Sequence, residues 1–185
     1  SQITDKVERE KCRSYKAVRE NLTAEIRAAV QNGKTVAVLG SGDLLLYGGP
    51  FRWYLAELSD LNPRLIPGVS CVNAANAALG ADIMKGKEMS STLMTHYMDL
   101  DKLDKLTEHH PTMIVFTMHT EFGDLVKKLK EHYPADTPIA IVFYAGYKDK
   151  EHIISGSLDT ILDKTKGIDF PFEHLVYVGD FLENR

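Results

Sequence analysis

Short apolar runs, each followed by a turn and then a helical pattern, constrain the fold of this chain more than any other feature. Runs of this length, bounded by glycine or polar turn residues, are typical of buried β-strands. Their alternation with amphipathic helices predicts an α/β fold whose sheet is at least partly parallel. The predicted strands are residues 35–39, 64–67, 91–95, 113–117, 139–144, 152–155 and 174–178.

The predicted helices follow from apolar residues spaced three or four apart. In the first helix these residues are Tyr15, Val18, Leu22, Ile26 and Val30, and Asn32-Gly33 predicts its end. Further helices are predicted at residues 50–58, 74–79, 99–108, 121–132 and 158–166. Glycines and charged residues interrupt the pattern at residues 80–88. This interruption predicts a boundary between a partial N-terminal α/β subdomain, residues 1–82, and a C-terminal α/β subdomain, residues 83–185.

Composition limits which partners are expected and which cell compartment is favoured. The formal net charge is -4 and no basic run occurs, so nucleic acid is not expected as the main partner. Cys12 and Cys71 lack the spacing of a metal site, which favours a reduced, cytoplasmic chain. No apolar run is long enough to span a bilayer, so no membrane partner is expected. His109-His110 lies at a predicted helix end and offers too few ligands, so no metal is predicted.

A glycine-containing turn after the first predicted strand is a candidate ligand contact. Residues 40–43 read Gly-Ser-Gly-Asp, and Gly48-Gly49 precedes the next predicted helix. Glycine lets backbone N–H groups approach a ligand, and open α/β sheets bind ligands at the carboxyl ends of their strands. A valine at Gly42 is therefore expected to block binding. The same residues also fit a tight turn with Asp43 as a helix cap. Neither the dinucleotide fingerprint nor the P-loop spacing is present.

Three later strand ends have comparable features. Residues 67–75 read Pro-Gly-Val-Ser-Cys-Val-Asn-Ala-Ala and join a predicted strand to a helix N-terminus, where N–H groups favour a carboxylate. Another strand leads into Met118, and a third ends at Ala145-Gly146. Each motif alone fits ordinary packing as well, with Ser70 as a cap and Met118 in the core. Their order along the chain is more specific than any one of them.

In that order the motifs resemble the tetrapyrrole (corrin/porphyrin) methylase family, which has strand–Gly-Asp, Pro-Gly-Val-Ser, strand–Met, a strand–Ala/Gly turn and a final strand with Val-Gly. The resemblance runs from Lys34 to the C-terminus, and residues 133–145 are most similar to the precorrin-4 and cobalt-precorrin-4 C11-methyltransferase branch. It implies two α/β subdomains that bind S-adenosyl-L-methionine (SAM) in the cleft between them, and a homodimer. The residues implied to bind SAM are Ser41, Gly42, Asp43, Leu46, Ser70, Cys71, Met118, Ala145 and Gly146.

The implied activity is SAM-dependent methyl transfer to a ring carbon of a tetrapyrrole, a corrin precursor, in cobalamin or porphyrin biosynthesis. Two departures from the family pattern qualify this hypothesis. Leu44 stands where the family has proline, and the family's first strand with its Gly-x-Gly-Pro-Gly-Asp loop has no counterpart here. A non-catalytic SAM-binding or dimerisation fragment therefore stays open as an alternative, as does a methyltransferase with a different acceptor. No catalytic residue is predicted.

Overall fold

A computed structural model of the chain describes residues 6–88, 91–96, 103–117 and 121–184. The chain divides into two compact units, Ser1–Ser70 and Cys71–Arg185. The predicted boundary between two α/β subdomains, at residues 82 and 83, stays a prediction.

The first unit is helical where it has regular structure. Helix α1, Lys6–Gln31, ends where the sequence predicted, because Gly33 takes a left-handed φ of 74°. Helix α2, Gly49–Glu57, is followed by a short 3-10 turn, Ser59–Leu61. The Arg27 guanidinium joins α1 to this region through 2.6 and 2.8 Å hydrogen bonds to the two carboxylate oxygens of Asp60.

The two strands predicted for this unit are wrong. Residues 35–39 and 64–67 have no regular secondary structure. Leu39 and Ile66 are 89% and 70% exposed, so neither run is buried as a core strand. A β-rich run forms a strand only when a neighbouring strand takes its N–H and C=O groups. Within the described part of the first unit, no segment pairs with these two runs.

The second unit contains a five-stranded sheet of order β1-β2-β5-β3-β4. Its strands are β1 Thr92–His96, β2 Thr112–Phe116, β3 Pro138–Phe143, β4 His152–Ser157 and β5 His174–Val178. Strands β1 and β2 are parallel, and the other three pairs are antiparallel. The sheet is mixed, as the partly parallel α/β prediction allows, and the predicted β3–β4 hairpin is present.

Helices cover both faces of this sheet. They are α3 Cys71–Leu79, α4 Leu103–Thr107, α5 Phe122–Leu129 and α6 Ile161–Lys164. Apolar residues of α5 and α6 pack with Val115 and Ile141 on one face, whereas α3 packs with Ala140 and Tyr177 on the other. Alternate strand residues point to opposite faces, so one strand serves both layers.

Two of these helices are shorter than predicted for reasons the structure shows. The hydroxyl of Thr160 accepts the Ser157 N–H, and this local turn delays the start of α6 to Ile161. Helix α5 ends at Leu129, and the following residues to Tyr133 continue as turns. The helix predicted at residues 99–108 contains α4. Its first residues fall within 97–102, which lie outside the described residues.

Candidate functional site

The Gly-Ser-Gly-Asp turn of the first unit is held by the carboxylate of Asp43. Its Oδ1 accepts the N–H groups of Leu45 and Leu46 at 2.8 and 3.0 Å. These bonds, with a weaker contribution from the Gly68 N–H, lower the pKa of Asp43 below its usual range. Asp43 therefore shapes the turn with its side chain. It does not cap α2, because Gly48 occupies that N-cap, so the helix-cap alternative is wrong.

The second predicted motif lies directly against this turn. A Cβ added at Gly68 would stand 2.1 Å from the carbonyl oxygen of Gly42, so only glycine allows the two backbones to approach this closely. Gly42 itself needs its residue type for a different reason, a left-handed φ of 75°. The structure thus brings Ser41, Gly42 and Asp43 next to residues 68–70. Leu46 joins them through its hydrogen bond to Asp43.

The remaining predicted residues that are described lie in the second unit. Cys71 is the first residue of α3, and Ala145-Gly146 follows β3. A Cβ added at Gly146 would lie 3.6 Å from the Cβ of Ala74, so this turn contacts the first turns of α3. The Tyr177 hydroxyl donates a 3.3 Å hydrogen bond to the Val72 carbonyl and so ties α3 to β5.

The turn at Gly42 has an open backbone. Gly42 leaves its Cα face open, since an added Cβ would meet only the Val69 carbonyl, at 3.8 Å. Open glycine backbone next to a strand or helix end is a common way to seat a ligand's polar groups.

Comparison with known sequences identifies the family. The sequence model of the tetrapyrrole (corrin/porphyrin) methylases matches residues 2–162. The chain belongs to this family. It is 34% identical over 167 residues to a cobalt-precorrin-4 C(11)-methyltransferase of Methanocaldococcus jannaschii, covering 85% of the chain and 63% of that relative. It is 29% identical over 171 residues to a precorrin-4 C(11)-methyltransferase of Pseudomonas aeruginosa, covering 88% of the chain and 68% of that protein.

Solved structures show the same fold. An X-ray structure of a cobalamin biosynthetic enzyme, cobalt precorrin-4 methyltransferase, matches 88% of the chain and 71% of its own length with a TM-score of 0.71 at 23% identity. A uroporphyrin-III C-methyltransferase of Thermus thermophilus, complexed with S-adenosylhomocysteine, matches 90% of the chain and 75% of its own length with a TM-score of 0.67 at 16% identity. The predicted family and α/β fold class are confirmed, and the named relatives agree with the predicted branch.

Two residues that hold these turns, Gly68 and Glu151, are not among the residues predicted to bind SAM. For Gly68 the signal is the Pro-Gly dipeptide at residues 67–68, which is typical of special backbone geometry. Glu151 accepts the Gly146 N–H at 2.7 Å, and no local pattern marks it among the neighbouring charged residues. Met118, predicted as a SAM contact, lies outside the described residues.

A cavity of about 870 Å³ lies at the carboxyl end of β2, on the side of the sheet covered by α5 and α6. On its wall, His174 Nδ1 donates to the Pro171 carbonyl, which leaves Nε2 to accept the hydroxyl proton of Thr117. This arrangement holds the imidazole in its neutral form. Burial lowers the pKa of His174, although the bond to Pro171 partly opposes that shift.

The neutral His174 predicts a pH dependence of stability. The unfolded chain takes up a proton at this residue as pH falls through about 6.5, whereas the folded chain resists it. The contribution is therefore complete above about pH 6.5 and is lost as pH falls towards the lowered pKa. We measure the free energy of unfolding by urea titrations followed by circular dichroism. As pH is lowered below about 6.5, we expect it to fall less steeply in His174→Gln than in the parent. Equal slopes in parent and variant would contradict the prediction.

An acidic cluster with one histidine is formed by α4 and the residues that follow α5. Asp104, Glu131 and His132 place their ligand atoms within 4.8 Å of one another. The Lys128 ammonium is 2.6 Å from a carboxylate oxygen of Asp104 and 2.6 Å from one of Glu131. The ammonium of Lys128 therefore pairs with both carboxylates, and the cluster is explained as an ion-pair network.

Proposed function

We propose that this chain binds SAM and takes part in methyl transfer to a ring carbon of a tetrapyrrole corrin precursor in cobalamin biosynthesis. The contact between the Asp43 turn and residues 68–70 carries the proposal, since the family resemblance assigns SAM contacts to both motifs. The structural relative complexed with S-adenosylhomocysteine supports the choice of cofactor. The chain spans 63% of the length of its archaeal relative, so the activity of a complete enzyme is part of the proposal.

When bound, SAM supplies a methyl group activated by its positively charged sulfur. The chain's own contribution is to bind and orient the reactants. Asp43 fixes the shape of one turn through its bonds to Leu45 and Leu46, and Gly42 and Gly68 allow the close backbone contact beside it. Orientation of this kind can account for roughly 7–11 kcal/mol of a reaction barrier. The turn at Gly42 and Asp43, together with Ser70, would hold SAM, which would supply the methyl group for transfer to the acceptor carbon.

Titration calorimetry with SAM and S-adenosylhomocysteine, run beside a turnover assay with a cobalt-precorrin-4 substrate, tests this function. Binding together with turnover supports the enzyme. Binding without turnover supports the alternative, a non-catalytic SAM-binding module. A properly folded chain that binds neither compound contradicts the proposal. Both titrations should be done at one ionic strength, because electrostatic contributions are screened by salt.

A homodimer is part of the proposal. It rests on the family resemblance and on exposed apolar side chains of the first unit, among them Val38, Leu39, Ile66 and Val69. Large exposed apolar patches usually mark an interface, and these side chains would contribute to one. Sedimentation equilibrium over a wide concentration range tests it, and a constant monomer mass would contradict it.

We propose the cytoplasm as the compartment, on the basis of the cysteine pattern. Among the described residues, none of the helices combines the length and the apolar character needed to cross a bilayer.

The cleft predicted between the two subdomains stays a prediction.

A further inference from the structure

The turn that follows β3 is held in place by a carboxylate from its own far end. Glu151, the residue before β4, accepts the N–H of Gly146 at 2.7 Å. A charge-assisted bond to a backbone N–H is stronger than one between neutral groups. The resemblance assigns Ala145 and Gly146 of this turn to SAM. Glu151 therefore acts on the backbone of two predicted cofactor residues.

This backbone needs support because two of its residues have left-handed conformations. Gly146 has a φ of 84°, and Tyr144 has a φ of 50°, which is uncommon for a residue with a large side chain. Such conformations persist where surrounding contacts fix them, and they are frequent at functional sites. Here the Tyr144 N–H donates to the Glu173 carbonyl at 2.8 Å, and the Lys150 ammonium lies 5.3 Å from the centre of the Tyr144 ring.

The Glu151 carboxylate completes this set of contacts. The Tyr147 N–H donates to the Tyr144 carbonyl at 2.9 Å, and the Glu151 N–H donates to the Tyr147 carbonyl at 2.8 Å. These two bonds return the chain so that the Glu151 side chain reaches back to Gly146. The turn lies against α3, since a Cβ added at Gly146 would be 3.6 Å from the Cβ of Ala74. A shift of the turn would therefore change the surface next to the start of α3.

We propose that Glu151 is a positioning residue for the methyl donor: its carboxylate holds the Ala145-Gly146 turn in the shape that contacts SAM. This inference rests on the proposed function and adds a residue to that site. Because the Gly146 N–H donates to Glu151, SAM would contact this turn through other groups, such as the Ala145 side chain and backbone carbonyls.

Three variants test the role of the carboxylate. Glu151→Ala removes the hydrogen-bond acceptor. Glu151→Gln keeps an acceptor oxygen but loses the charge. Asp149→Ala is the matched control, because Asp149 is an exposed carboxylate of the same turn with no side-chain hydrogen bond or ion pair to the described part of the chain. Each variant and the parent are titrated with S-adenosylhomocysteine, and thermal midpoints and amide exchange at Gly146 are recorded.

We expect Glu151→Ala to weaken binding of S-adenosylhomocysteine roughly tenfold, as loss of a bond to a charged group can. Its Gly146 amide should exchange faster, while the thermal midpoint stays near that of the parent. Glu151→Gln should restore most of the affinity, and Asp149→Ala should bind like the parent. Recovery of affinity in Glu151→Gln would show that the hydrogen-bond acceptor matters, because this variant lacks the negative charge.

The outcomes separate this inference from the proposed function. A folded parent chain that does not bind S-adenosylhomocysteine overturns both. A parent that binds, with a Glu151→Ala variant of equal affinity, overturns the positioning role and leaves the proposed function intact. If Glu151→Ala does not fold, the Gln variant decides: parent-like affinity with a protected Gly146 amide supports the role. A Gln variant whose Gly146 amide exchanges faster while its affinity is unchanged overturns it.

Discussion

Gly68→Ala is expected to weaken SAM binding by roughly tenfold or more while the second unit keeps its fold. The added Cβ would stand 2.1 Å from the Gly42 carbonyl oxygen, a distance that backbone atoms cannot tolerate. Overpacking of this kind costs about 1–3 kcal/mol, and each 1.4 kcal/mol is about tenfold in affinity. The clash forces the Asp43 turn away from residues 68–70, the contact on which the proposed site depends.

Gly49→Ala is the matched control, because a Cβ added at Gly49 would meet nothing within 4 Å. Both variants are titrated with S-adenosylhomocysteine, and both are compared with the parent by circular dichroism. Parent-like affinity for Gly49→Ala with a large loss for Gly68→Ala locates the effect at the contact with Gly42. A Gly68→Ala protein that binds as tightly as the parent would remove this contact from the site.

Ile141→Ala should lower the free energy of unfolding of the second unit by about 2–5 kcal/mol. Ile141 is fully buried on β3, and it belongs to the apolar cluster that joins α5 and α6 to the sheet. Truncation removes buried apolar surface and leaves a cavity that the surrounding strands can fill only in part. A loss of this size is a large part of the total stability of an ordinary domain.

Leu162→Ala is the control for the core variant, because Leu162 is 42% exposed on α6. It should change the free energy of unfolding by only about 0.5 kcal/mol. Urea unfolding followed by circular dichroism reports both units, whereas fluorescence of Trp53, the single tryptophan of the chain, reports the first. A change seen in circular dichroism alone is therefore assigned to the second unit. Equal urea midpoints for Ile141→Ala and the parent in circular dichroism would show that this cluster does not stabilise the sheet.

Local sequence patterns were sufficient to predict elements that local residues determine and strands that lie between two other strands of the sheet. The end of α1 follows from Asn32-Gly33, because glycine takes the left-handed conformation that ends a helix without steric cost. The bounds of β5, residues 174–178, agree with the prediction because this apolar run lies between two other strands. The order of the glycine and small-residue motifs was also enough to predict the family, which the comparisons confirm.

Tertiary contacts decided what those patterns could not. Residues 35–39 have a strand-like composition, yet no segment in the described part of the first unit pairs with them, and pairing partners are not a local property. The structure also shows that the Asp43 carboxylate accepts backbone N–H groups of its own turn and does not cap α2.

The roles of Gly68 and Glu151 in the candidate site required the three-dimensional structure for the same reason. Gly68 is constrained by a carbonyl 26 residues away in the chain, at Gly42, a separation that no sequence window for turns includes. Glu151 is one of several charged residues near the end of its turn, and only the fold shows that its carboxylate reaches Gly146. The sequence by itself determined the family, the helices and the strands of the five-stranded sheet. The tertiary structure decided which backbones approach each other and which side chains hold them, because such contacts depend on distance in space.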